Sequence, residues 1–418
     1  MWTTVHTGPA ARSALSVACR RTRGYTFAEM GPRTARRAVA AILTCGLLLA
    51  CNALLDNAER DLRPADLTGE GGATIDHAVP SDSPVTVDGT VPCTDVMTDA
   101  KNCGRCGHDC LGGACTTGQC QPFEFAQVQA PQQVFVVGGA VYFSDGKGAG
   151  GINWCPDTGC GTGPSRISVS TGGFGLAVDS LGVGAISMVL GKVYEVALRF
   201  ADENKGGVLT TRATGVSAVG LTMEPGFLYF TGTDGNAYRC ARGTGCGSAP
   251  TRIALGVSKG GSIAVDVDNV YFASDGTGGG QCAGGCLLGA AKGATDATTT
   301  PTSFGRLPRT LHVDGDLFWT GIGGPYNGEV SRRDAGLGGS EYFYERDAGD
   351  VWGLTTDATN VYFTLPGAAT IRYAPRNAAE NESVVLVTGQ KQPFGIAVDA
   401  KAIYWANYGG AAIMKLAR

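Results

Sequence analysis

The 418 residues leave room for one large domain with accessory segments, and 65 of them are glycine, about 16% against a usual ~7%. The glycines show no collagen-like three-residue period, aromatics sit in short β-branched runs, and long amphipathic helical patterns are missing, which excludes a helical bundle and indicates an all-β chain. With 33 basic against 37 acidic side chains and no basic stripe, nucleic acid is excluded as a partner.

Residues 1–50 carry seven arginines, no lysine and one acid, Glu29. From Met30, the segment MGPRTARR leads into a 13-residue apolar run, AVAAILTCGLLLA, that ends at Cys51. A basic start, a short apolar run and a small residue before the cut describe a secretory signal, with Met30 a possible true start. The run is too short for a bilayer span of about 20 residues. Leu48-Leu49-Ala50-Cys51 resembles the lipobox of bacterial lipoproteins, which implies lipidation of Cys51 and a membrane anchor. Asn52 in place of Asp implies, by the same resemblance, the outer membrane. Cleavage leaves 26 basic against 36 acidic side chains, a charge near −10.

Residues 52–92 are rich in Asp, Ala, Thr, Pro and Gly without an apolar face, so 51–92 reads as a lipid-anchored disordered tether. Six cysteines follow within 93–120: Cys93, Cys103, Cys106, Cys110, Cys115 and Cys120. So short a segment cannot bury a sizeable core and needs covalent staples. Cys103, Cys106, His108 and Cys110 have spacings that zinc could use, but the export signal and the even count favour three disulfides of open connectivity. The segment resembles small cysteine-rich modules of bacterial exported proteins, which implies a spacer or adhesive role.

From 121 the chain repeats. Val141-Tyr142-Phe143, Val183-Gly184-Ala185, Leu228-Tyr229-Phe230, Val270-Tyr271-Phe272, Leu317-Phe318-Trp319, Val361-Tyr362-Phe363 and Ile403-Tyr404-Trp405 recur at spacings of 42, 45, 42, 47, 44 and 42. Each follows a strand of the GLAVD or GIAVD kind and precedes a Gly-rich loop, a third strand such as NAYRC or AIMKL, and a fourth such as TRIALG. A period of about 40 to 50 residues with four strands per unit predicts a seven-bladed β-propeller over 121–418. The last unit has three strands, so Phe123–Gln129 is expected to supply its outer strand and close the ring. Three close cysteine pairs end third strands: Cys155 and Cys160, Cys240 and Cys246, Cys282 and Cys286. Each is expected to staple a hairpin. GIAVD-x₃-IYWAN-x₅-AIMKL resembles the YWTD and NHL classes of propeller, although the second unit lacks the aromatic pair and Thr-Asp is replaced by Ala-Asn, Ser-Asp or Thr-Gly.

Chemistry is sparse. Recurring acids after the first strands (Asp179, Asp266, Asp314, Asp357, Asp399) read as turn residues bonding local N–H groups. Tyr404, Trp405 and Trp319 read as core. No HExxH motif is present. His312, at an alanine position of other units, reads as structural, with a channel-lining acid or base as the sharper alternative. The face built from loops entering first strands and joining second to third strands offers Gln133, Phe174, Lys259, Arg309, Trp352 and Phe394, then Asp145, Asp234, Asp275, Tyr326, Glu329, Asn407 and Tyr408. Aromatics, charges and glycines there make a candidate binding face. The expectation is a monomeric, exported lipoprotein, without cofactor or metal, whose propeller binds a protein or glycan. The alternative is a propeller hydrolase or lyase acting on a lactone or sugar with a metal in the central channel.

Overall fold

A computed structural model describes Cys93 and residues 95–146, 151–167, 175–187, 192–197, 209–257, 261–276, 282, 284–304, 307–322, 328–334, 341–346 and 348–418. The signal region, Cys51 and the tether, with Phe174, Lys259 and Tyr326, lie outside the described residues. The cysteine-rich segment and the repeats fall in one compact unit, Asp82–Arg418.

The repeats form an all-β propeller. Among the described residues, six of its blades are four-stranded antiparallel sheets, and the sheet of Ala218–Leu255 takes a fifth short strand, Ala297–Thr298, parallel to its outer edge. In every sheet but the last the strands follow chain order, and first strands of neighbouring sheets pack side by side around the centre, the last sheet against the first. Sheets are numbered below one to seven in chain order, beginning at Val134. The outer strand of sheet seven is Phe123–Gln127, which pairs antiparallel with Ala412–Ala417 through Phe123–Lys415 and Gln127–Ala412.

Second strands supply the core between sheets. Alternate residues of a strand point to opposite faces, so Tyr404 enters the cluster shared with sheet one while Trp405 enters the cluster shared with sheet six. Both are fully buried, as is Trp319. The second unit's missing aromatic is filled from outside. A Cβ on Gly184 would stand 2.9 Å from Leu221 Cδ2 and 3.3 Å from Met223 Sδ, both of sheet three.

The turn acids behave as their positions demand. Asp399 Oδ1 accepts the N–H groups of Lys401 and Ala402 at 2.7 and 2.8 Å, and Asp179, Asp266 and Asp357 repeat the pattern. The second carboxylate oxygen reaches further. Asp179 pairs with Arg242, Asp314 with Arg376 and Asp357 with Arg418, while Glu224 pairs with Lys292. In all four pairs the acid belongs to one sheet and the base follows the third strand of the next. The ring's joint between sheets seven and one differs, because Asp157 stands where those bases stand. There Lys401 lies 3.6 Å from Asp157, and buried Lys415 donates to the Asp157 carbonyl at 2.7 Å, its ammonium 5.6 Å from the Phe125 and Tyr404 ring centroids.

All twelve described cysteines are paired: Cys93–Cys106, Cys103–Cys115, Cys110–Cys120, Cys155–Cys160, Cys240–Cys246 and Cys282–Cys286. Cys103, Cys110 and Cys120 stand close together but are spent in disulfides. His108 lies 2.6 Å from the Cys103 carbonyl and 2.7 Å from the Arg418 carbonyl, linking the module to sheet seven.

Candidate functional site

Four side chains of the expected face form a continuous stack. Arg309, Trp352 and Phe394 occupy the same repeat position, just before the first strand or at its start, and are 43 and 42 residues apart. The Arg309 guanidinium carbon sits 4.4 Å from the Trp352 ring centroid. Trp352 and Phe394 are 4.1 Å apart and within 6° of parallel, and Phe394 stacks on Tyr408 at 4.8 Å. Asp350 closes the far end, accepting from Arg309 at 2.6 Å and from Trp352 Nε1 at 3.1 Å.

The spacing of the stack follows from the backbone beneath it. Gly353 and Gly395 let successive lead-in segments approach, since a Cβ on Gly353 would lie 2.1 Å from the Phe394 carbonyl and one on Gly395 2.6 Å from that of Gln132. Hydroxyls one residue past the second-strand aromatics then tie the segments together. Thr364 Oγ1 accepts from Gly353 N at 2.8 Å and donates to the Phe394 carbonyl at 2.7 Å. Thr320 does the same between Thr310 N, at 3.2 Å, and the Trp352 carbonyl, at 3.1 Å. Register breaks at Pro308/Thr310 and Pro393/Ile396 mark bulges at Arg309 and Phe394, which re-aim those side chains toward the face. The sequence signal for these ties was a Ser or Thr after the aromatic pair, at Ser144, Thr231, Thr320 and Thr364.

Tyr408 arrives from a different element. It opens a short 3-10 turn, Tyr408–Gly410, whose first two N–H groups donate to the carbonyls of Gln392 and Lys391 at 3.1 and 3.0 Å. Gln392 and Ala411 hold φ of +53° and +52°, a conformation that costs a non-glycine residue about 1–2 kcal/mol and is kept here by the surrounding contacts.

Other expected face residues fall elsewhere. Asn407 is a correction: it ends the second strand buried, its Nδ2 donating to Gln390 Oε1 at 3.0 Å, because the strand's alternation turns it toward Trp405's side. Glu329 is likewise buried, as the first residue of a third strand. Gln133 is spent on the fold, accepting Leu176 N at 2.7 Å. Asp234 is held by the Tyr238 hydroxyl and by Asn236. Asp145 and Asp275 are partly exposed and each is engaged with neighbours.

His312 faces the joint between sheets five and six. Its Nε2 lies 3.0 Å from Thr356 Oγ1, whose proton goes to Asp314 Oδ2 at 2.7 Å, so Nε2 carries the imidazole proton. Although the ring keeps some exposure, the protein packed around it pushes its pKa down to about 4, with Asp314 opposing and Arg376 adding to the fall. The substitution is compensated locally. In three other sheets a second-strand tyrosine bonds the turn acid (Tyr229–Glu224, Tyr271–Asp266, Tyr362–Asp357), whereas here Phe318 lacks the hydroxyl and Thr356 supplies it. Among the described residues no carboxylates or histidines converge in threes.

These features define a β-propeller. No family model matches the chain, and no curated protein matches it. Solved structures do. A streptogramin B lyase aligns at 16% identity and TM-score 0.55, covering 71% of this chain and 98% of its own. Virginiamycin B lyase from Staphylococcus aureus gives 18%, 0.55, 71% and 98% in the same order. Hydrazine synthase from Kuenenia stuttgartiensis gives 11%, 0.53, 70% and 96%. At these identities the likeness is one of fold.

Proposed function

We propose that this protein is an exported lipoprotein, anchored through Cys51, whose propeller binds a protein or glycan partner on the face carrying Arg309, Trp352, Phe394 and Tyr408. The five-stranded sheet is taken as a seventh blade, and the YWTD/NHL-like repeat as the source of the ring. The observation that carries the binding role is the stack itself. It draws rings and a guanidinium from sheets five, six and seven into one rigid surface, and preorganised aromatic and arginine side chains lose little entropy on binding. A hydrolytic or lyase role gains nothing comparable, since His312 is committed to Thr356 and its neighbours are committed to each other.

The test is partner capture by the purified, correctly folded protein. Trp352→Ala and Arg309→Ala should each weaken capture by about 1–3 kcal/mol while the far-UV spectrum is unchanged. Undiminished capture by both variants would defeat the reading. Anchoring is tested separately. Cys51→Ser should release the exported protein from the membrane fraction, and a variant that still fractionates with membranes would refute the lipid anchor.

A further inference from the structure

The stack is closed at one end and open at the other. Trp352 has Arg309 on one face and Phe394 on the other, and Phe394 has Trp352 and Tyr408, so neither inner ring has a free face. Tyr408 has one ring stacked on it, Phe394. Among the described residues no ring or cation covers its other face, and the residue is 36% exposed. The equivalent position in the next sheet is Gln132, so the repeat itself supplies no further aromatic rung.

The groups around the Tyr408 turn are polar. Lys391 and Gln392 are both exposed, and their carbonyls hold the Tyr408 turn. A Cβ on Gly410 would lie 3.3 Å from Lys391 Cβ, which brings that side chain's stem against the same turn. The Lys391 ammonium has no carboxylate within ion-pair distance among the described residues, whereas the stack's other cation, Arg309, is already neutralised by Asp350.

We propose that the open face of Tyr408, with Lys391 beside it, is a subsite for an acidic sugar of a glycan, the pyranose C–H face lying on the ring and the carboxylate meeting the ammonium. An aromatic or aliphatic peg from a protein partner gains most where it is enclosed and stripped of water. Tyr408 offers one exposed plane with polar groups around it. A sugar suits that plane, because it can cover an aromatic ring on one side while its hydroxyls stay in water. The unpaired ammonium selects the anionic member of the class.

The proposal rests on the binding-face reading and narrows it. The probes are a galacturonic acid trimer and its fully methyl-esterified, uncharged form, titrated calorimetrically into the disulfide-intact protein. The acidic trimer is expected to bind saturably, and the ester about tenfold more weakly, with the difference shrinking as salt rises. Lys391→Gln should make the two probes equivalent, and Tyr408→Ala should abolish both while circular dichroism is unchanged. Equal binding of both probes by the unaltered protein, unaltered binding by Tyr408→Ala, or no saturable binding at about 10 mM (a ΔG near −3 kcal/mol) would each overturn it. If the trimer does not bind but Trp352→Ala loses capture of a protein partner, the acidic-sugar subsite fails and the binding face stands.

Discussion

At the scale of single residues, two acid-sensitive groups should separate in a pH titration of stability. His312 has a folded pKa near 4, below its unfolded value of about 6.5, so the unfolded chain binds more protons in that interval. Its contribution is complete above pH 6.5 and is lost as pH falls toward 4. His312→Leu should flatten the urea-midpoint profile over that window, and an unchanged slope would contradict the assignment. Asp357 acts lower. Burial alone would raise its carboxyl, but the N–H groups of Thr359 and Asn360 with the Tyr362 hydroxyl outweigh that and bring it down to about 2. Stability from Asp357 is therefore present above about pH 4 and disappears as pH falls through 2, and Asp357→Asn should cost about 1–2 kcal/mol at neutral pH. Chemical denaturation of the variant at pH 7 and pH 2.5 checks both the size and the loss of the difference.

At the scale of strands and turns, the stack depends on close backbone approach more than on the rings. Gly353→Ala puts a methyl group against the Phe394 carbonyl, so the lead-in segments must part. The expected result is a loss of about 1–3 kcal/mol and weakening of the near-UV signal from Trp352 over Phe394. A variant with native near-UV ellipticity would show that the segments can yield without moving the rings. The outer strand of sheet seven makes the same point. Deleting residues up to 130 uncovers the Ala412–Ala417 edge, and the shortened protein should melt lower and associate. The outer strand was readable because the last unit lacked a fourth strand in a period otherwise regular. The bulges at Arg309 and Phe394 were not, since a bulge depends on how two strands meet and leaves no fixed residue type behind. Trp352 and Phe394 could be placed on one face by position, but their parallel contact arises from Gly353 and Gly395, whose meaning appears only when neighbouring sheets are in place. Asn407 went the other way, because strand alternation at the last paired residue buries a side chain that loop position alone would expose.

Across the whole molecule, the four acid-to-base pairs run in one direction, each joining the carboxylate of one sheet to the base of the next. The closing joint lacks that base, and buried Lys415, whose pKa is lowered by its removal from water, stands near Asp157 and Asp399 instead. Sheets three and six each carry an acid and a base of these pairs, so either one copied whole could still match the neighbours on either side. A unit inserted at the closing joint would separate Lys415 from Asp157 and leave a buried ammonium without its carbonyl. The ring can therefore gain a unit by duplication of sheet three or sheet six, while the joint between the chain's first and last sheets is bound to stay where it is.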